Sequence, residues 1–101
     1  MKVILLNNVV KYYDSINEIF NSFYIDKIKY LELDNLNLLS LPNEIEKLSN
    51  LICLSINNNH LYCLPKLPIN LKILYINFNN FITIVINIII FLLNNTKNCI
   101  N

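Results

Sequence analysis

The segment IKYLEL, residues 28–33, has two further copies in the chain, LICLSI at residues 51–56 and LKILYI at residues 71–76. Each copy has aliphatic residues at its first, fourth and sixth positions, and the copies begin 23 and then 20 residues apart. Side chains alternate between the two faces of a strand, so positions 4 and 6 share one face. Because one such unit cannot enclose its own apolar face, the copies must stack. The spacing predicts a parallel sheet with one short strand per copy.

The copies also agree beyond these strands, where positions 11 and 14 are apolar in all three: Leu38, Leu61 and Phe81, then Leu41, Leu64 and Ile84. Position 9 is Asn59 in the second copy and Asn79 in the third. The pattern resembles the leucine-rich repeat family. The first copy, with Leu41-Pro42, looks like the 23-residue form of that repeat, and the second, with Leu64-Pro65, looks like the short form of bacterial effector proteins.

This resemblance covers residues 28–86 and implies an α/β solenoid. The implied fold is a short leucine-rich-repeat stack with a parallel β-sheet on its concave face and an N-terminal helical cap. In the family, the asparagine at position 9 lies inside the turn and hydrogen-bonds neighbouring backbone, so Asn59 and Asn79 are expected to form a structural ladder. The first copy departs from the family pattern, because its position 9 is Leu36.

The expected domain organisation follows the copies: a cap over 1–27, repeats over 28–50, 51–70 and 71–86, and a degenerate repeat or C-terminal cap or tail over 87–101. Within the cap, residues 3–6 favour a strand. Residues 15–24 favour a short helix, with Ser15 as N-cap, Glu18 completing a capping box, and an apolar face of Ile16, Ile19, Phe20 and Phe23.

The apolar run over 81–93 is harder to interpret. It has 13 residues, fewer than the roughly 18–20 that span a bilayer. We expect a buried capping strand or a degenerate repeat there. The alternatives are membrane association and a decayed or truncated coding sequence.

Composition excludes several functions. The formal net charge is +1, and all eight basic residues are lysines spread along the chain. Without arginine or a basic cluster, the electrostatic footprint of a nucleic-acid-binding protein is missing.

No secretion signal with a cleavage site is recognisable after the short apolar start of the chain. The three cysteines are irregularly spaced, which is typical of a reducing compartment. The predicted location is therefore intracellular, in the cytoplasm.

The sequence offers little for catalysis. Cys53, His60 and Cys63 are too few for a closed zinc site, which needs four ligands, and the register separates the two cysteines. Glu32 and Asp34 lie two apart on one strand, where an acidic patch is a better interpretation than an acid–base pair. We expect no enzyme activity, no metal and no cofactor.

What remains is the surface of the sheet. If positions 4 and 6 face the core, positions 3, 5, 7 and 8 face outwards. The predicted protein-binding residues are Tyr30, Glu32, Asp34, Ser55, Asn57, Ile73, Tyr75, Asn77 and Phe78. Large aromatic side chains often anchor interfaces. We therefore expect a non-catalytic protein–protein interaction module whose concave face binds a peptide or protein. The alternatives are a small repeat protein anchored to a membrane by 81–93, and a fragment or relic of a larger repeat-containing effector.

Overall fold

The computed structural model describes residues 1–80, 85–86 and 88–89. In chain order its elements are strands β1 (Lys2–Leu5) and β2 (Val10–Tyr12), helix α1 (Ile16–Phe20), a 3₁₀ helix (Ile25–Lys27), strand β3 (Ile28–Glu32), a second 3₁₀ helix (Asn43–Lys47), and strands β4 (Cys53–Ser55) and β5 (Ile73–Tyr75). The strands form one mixed sheet in the order β2-β1-β3-β4-β5. Strands β3, β4 and β5 are parallel, and β1 is antiparallel to both of its neighbours.

The three sequence copies lie side by side in this sheet. Leu31, Leu54 and Leu74, at position 4 of each copy, are aligned by the strand register. Leu31 and Leu54 are fully buried, whereas Leu74 is partly buried at the end of the described sheet. Position 6 follows the same trend, with Leu33 and Ile56 buried. The prediction that positions 4 and 6 face the core is therefore confirmed.

The return path of the first copy is a 3₁₀ helix that begins after Pro42. Its Ile45 and the following Leu48 are both fully buried, so this short helix closes the core opposite the sheet. The return path of the second copy, residues 56–68, has neither helix nor strand. Pro65 and Pro68 lack the N–H groups that a helix would need there.

The N-terminal segment forms a hairpin. The predicted strand is present as β1, and Asn8, with φ 66°, reverses the chain into the unexpected strand β2. Val3 and Leu5 of β1 face the core and are buried. The hairpin covers the edge of β3 that would otherwise end the stack.

Helix α1 begins as predicted but ends early. The Ser15 hydroxyl oxygen accepts a hydrogen bond from the backbone N–H of Glu18 at 3.2 Å, as an N-cap should. Ile19 is fully buried. The helix ends at Phe20, so the expectation that Phe23 belongs to its apolar face is wrong: Phe23 is 88% exposed.

Most of the apolar C-terminal run lies outside the described residues. Val85, Ile86, Ile88 and Ile89 have helical backbone, and the last three are 41–51% exposed. The choice between a degenerate repeat and a cap for 87–101 likewise falls largely outside the described residues. Among the described residues, no helix has the length and apolar character needed to cross a bilayer.

We predict that Leu54→Ala lowers the free energy of unfolding by about 2–5 kcal/mol, because it leaves a cavity in a fully buried position. Leu74→Ala should cost less, since Leu74 is already partly exposed. Urea denaturation of both variants measures the two losses. Equal losses would contradict the gradient of burial from β4 to β5.

Candidate interaction surface

The side of the sheet opposite the core carries two rows of side chains, because residues that pair in register point to the same face. We name this side the outer face. The apolar row crosses all five strands as Val10, Ile4, Tyr30, Cys53 and Ile73. The polar row runs beside it as Tyr12, Lys2, Glu32, Ser55 and Tyr75. Four spacings of about 4.8 Å make each row about 19 Å long.

The N-terminal hairpin supplies four of these ten side chains, Lys2, Ile4, Val10 and Tyr12. The prediction of a cap over residues 1–27 did not include this contribution to the outer face. Alternation within residues 2–5 was the available signal, since Val3 and Leu5 point inwards and leave the residues between them on the other side. Pairing with β3 could not be read from that pattern.

Charge on the outer face is concentrated near β1 and β3. The Tyr30 hydroxyl donates a hydrogen bond to Oε2 of Glu32 at 3.1 Å, and Nζ of Lys2 lies 5.9 Å from the centre of the Tyr30 ring. Burial, then the hydrogen bond to Glu32 and its negative charge, raise the pKa of Tyr30 to about 12. Glu32 is therefore engaged by a neighbour on its own strand.

The side chains of three predicted binding residues, Asp34, Ser55 and Asn57, help to hold the copies together. Oδ1 of Asp34 accepts hydrogen bonds from the Ser55 hydroxyl at 2.8 Å and from the Asn57 backbone N–H at 2.7 Å. Oδ1 of Asn57 in turn accepts from the backbone N–H of Asn77 at 2.8 Å. These bonds form an outer ladder in which the position-7 side chains of the first two copies each accept from the backbone N–H at position 7 of the next copy. Asp34 and Asn57 therefore stabilise the packing of neighbouring copies.

Ser55 differs from its predicted placement. It belongs to the outer face by register, yet it is only 4% exposed. The Asp34 carboxylate bonds to its hydroxyl, and the Asn57 amide approaches the same oxygen at 3.4 Å. Because neighbouring polar groups enclose it, Ser55 offers little surface to a partner. Replacing it should disturb the outer ladder.

A second set of bonds, the inner ladder, lies where the strands turn. Asn59 is 3% exposed. Its Oδ1 accepts from the backbone N–H groups of Leu36 and Leu38 at 3.0 and 3.1 Å. Its Nδ2 donates to the carbonyl oxygens of Leu33, Ile56 and Asn57 at 2.9–3.2 Å.

Asn79 repeats the arrangement one copy later. Its Oδ1 accepts from Leu61 N–H at 3.1 Å, and its Nδ2 donates to the carbonyl oxygens of Ile56, Ile76 and Asn77 at 2.9–3.3 Å. Both amides therefore bridge a turn to the copy before it. Leu36 occupies the corresponding position of the first copy and contributes only its backbone N–H to Asn59.

Exposed large apolar side chains lie on β5 and just after it. Ile73 is 44% exposed, Tyr75 48% and Phe78 80%. Phe78 has φ 58°, as do the asparagines at the same position of the other copies, Asn35 at 58° and Asn58 at 56°. Asparagine tolerates this left-handed conformation, whereas phenylalanine seldom adopts it.

The residues considered for metal binding do not converge. Within the described part of the chain, no group of three or more His, Cys, Asp or Glu side chains is placed to hold a metal ion. Cys53 is a half-buried free thiol in the apolar row, and burial raises its pKa. Cys63 is buried and disulfide-bonded.

Comparisons with known proteins add no family or function. The chain matches no family model, no curated protein and no solved structure. The interpretation of the outer face therefore depends on its own geometry.

We predict that Asn59→Ala lowers the free energy of unfolding by at least about 3 kcal/mol, because several buried backbone groups lose their partner at once. Asn17→Ala, at an exposed position of α1, should stay within about 0.5 kcal/mol. Chemical denaturation provides the comparison. A loss at Asn59 no larger than that at Asn17 would show that the inner ladder is dispensable.

We also predict that ionisation of Tyr30 weakens the fold at high pH. Its pKa is about 12 in the folded chain and 10.0 as the ordinary value, so the folded state keeps the proton longer and stability falls as pH rises from 10 towards 12. Tyr30→Phe should lose less stability than the native chain over the same interval. Thermal melts of both proteins at several pH values measure this difference, and parallel pH profiles would contradict it.

Proposed function

We propose that this chain is a non-catalytic protein-interaction module of the leucine-rich repeat type, which binds a peptide or protein segment through the outer face. The observation that carries the proposal is the exposed apolar and aromatic area of Ile73, Tyr75 and Phe78 at the β5 end of the outer face. Isolated apolar residues on a surface are ordinary, but a contiguous group next to polar side chains is typical of an interaction site.

Tyr75 and Phe78 are the proposed anchors. Both are stiff side chains with large apolar area, and hot spots of interfaces are enriched in aromatic residues. Tyr75 lies at the β5 end of the polar row. Its side chain has an apolar ring and a hydroxyl group that can hydrogen-bond to a partner. Phe78 adds apolar area beyond the end of β5.

The charged residues of the outer face have unequal parts in this proposal. Glu32 and Asp34 are both among the predicted binding residues. Asp34 accepts two hydrogen bonds that hold neighbouring copies together. In this proposal, Glu32 and the nearby Lys2 are therefore the charged residues that select the partner. A charge at the rim of an interface mainly alters the association rate and its salt dependence.

The size of the outer face sets the expected affinity. A strip about 19 Å long with two rows of side chains is near the lower limit for a specific interface. The partner contact is therefore a peptide or one face of a small domain, held with modest affinity. The family assignment itself rests on the spacing of the copies and on the bonds of Asn59 and Asn79.

The proposal is tested by photo-crosslinking followed by titration. A benzophenone amino acid replaces Tyr75 in one protein and Phe23, which is exposed but off the outer face, in the control. We expect a partner that crosslinks from position 75 and not from position 23. For that purified partner, Tyr75→Ala should weaken binding at least about thirtyfold with little change in melting temperature.

Glu32→Gln should instead change the association rate and its salt dependence. Phe23→Ala, the matched control, should leave binding unchanged. If the double variant Tyr75→Ala with Phe78→Ala binds the same partner with native affinity, the outer face is not the binding site.

A further inference from the structure

A separate depression lies beyond the ends of β4 and β5, where the second and third copies turn away from the sheet. Its volume is about 460 Å³, within the roughly 300–1,000 Å³ typical of small-molecule sites. Apart from the two inner-ladder asparagines, its walls are Asn37, Asn58, His60, Phe78 and Asn80. These residues stand at positions 8 and 10 of the copies, just outside the inner ladder.

The walls are polar but almost uncharged. None of the lining residues is a carboxylate or a lysine, and His60 is the titratable group among them. Oδ1 of Asn37 and Nε2 of His60 lie 3.3 Å apart. An anion would find no fixed cation here, and a metal cation no carboxylate. A wholly apolar ligand would cover the amides without bonding to them, at a cost in free energy.

Phe78 is an unusual residue for its backbone conformation. The same position is asparagine in the other two copies, and all three residues are left-handed. Phenylalanine is strained in that conformation. Its ring is 80% exposed, so burial in the core does not compensate for the strain. An unfavourable residue held outwards at the rim of a depression points to a ligand that uses the ring.

We propose that this depression binds a neutral pyranose ring, as a monosaccharide or as one unit of a glycan. One face of a pyranose presents C–H groups, which pack against the negative face of an aromatic ring such as that of Phe78. Its hydroxyl groups both donate and accept, as do the amides of Asn58 and Asn80. The site is distinct from the outer face and shares only Phe78 with the proposed protein anchors.

The first test is a titration of the ¹⁵N-labelled chain, followed by NMR. The probes are methyl β-glucopyranoside and N-acetylglucosamine, and the control is sorbitol, which has hydroxyl groups but no ring face. We expect the side-chain amide signals of Asn58 and Asn80 to shift with a pyranose, with a dissociation constant on the order of 1 mM. No shift well above that concentration, or an equal shift with sorbitol, would overturn the proposal.

The second test separates binding from folding. Phe78→Asn installs the residue of the other copies, so it should raise the melting temperature by roughly 5 °C and weaken pyranose binding at least about tenfold. Phe23→Ala, at another exposed phenylalanine away from the depression, should leave pyranose binding unchanged. Native pyranose affinity in the folded Phe78→Asn variant would overturn the site.

A third variant distinguishes this site from the protein-binding face. Tyr75→Ala removes an outer-face residue that does not line the depression, so it should keep native pyranose binding. If Tyr75→Ala lost pyranose binding as strongly as Phe78→Asn, the ligand would lie on the outer face and the depression would be the wrong site. Failure of pyranose binding in the native chain would leave the outer-face proposal standing, since that proposal is measured with a protein partner.

Discussion

The described structure depends on the need to pair backbone groups inside the turns that follow β4 and β5. A backbone N–H or carbonyl that is buried without a partner costs free energy comparable to a lost hydrogen bond. The buried amide of Asn59 meets this need for its own turn and for the preceding copy at the same time, because its oxygen accepts two bonds and its two N–H groups are shared among three carbonyl oxygens. The first two copies can therefore stack only in the register that places this side chain between them.

The outer ladder pairs further backbone groups, at position 7 of the copies. Asp34 and Asn57 accept from the backbone of the next copy, so each copy is held at position 7 by one ladder and at position 9 by the other. Two points of attachment per copy fix both the spacing and the orientation of the strands. The side chains held in this ladder, Asp34 and Asn57, lose little conformational entropy when a partner binds.

The N-terminal hairpin shows how the stack is closed on one side and enlarged by the same element. An exposed strand edge invites pairing with other chains, and β1 occupies the edge of β3 by antiparallel pairing. Since Val3 and Leu5 fill the core, the other residues of β1 must point to the outer face. Because β1 covers the edge of β3 in this way, Lys2 and Ile4 become part of the outer face.

The sequence alone determined what depends on periodicity. Alternation identified Leu31 and Leu54 as core residues, and the repeat spacing identified three neighbouring strands. These features follow from local rules that each copy obeys by itself.

Only the tertiary structure decided what depends on contacts between copies. The burial of Ser55 and the structural engagement of Asp34 arise because the side chain of one copy meets the hydroxyl and backbone of the next. The pairing of β2 with β1, and the left-handed backbone of Phe78, likewise depend on how neighbouring segments are held. A residue's pattern position specifies the direction in which it points, whereas its exposure and partners are set by atoms distant in sequence.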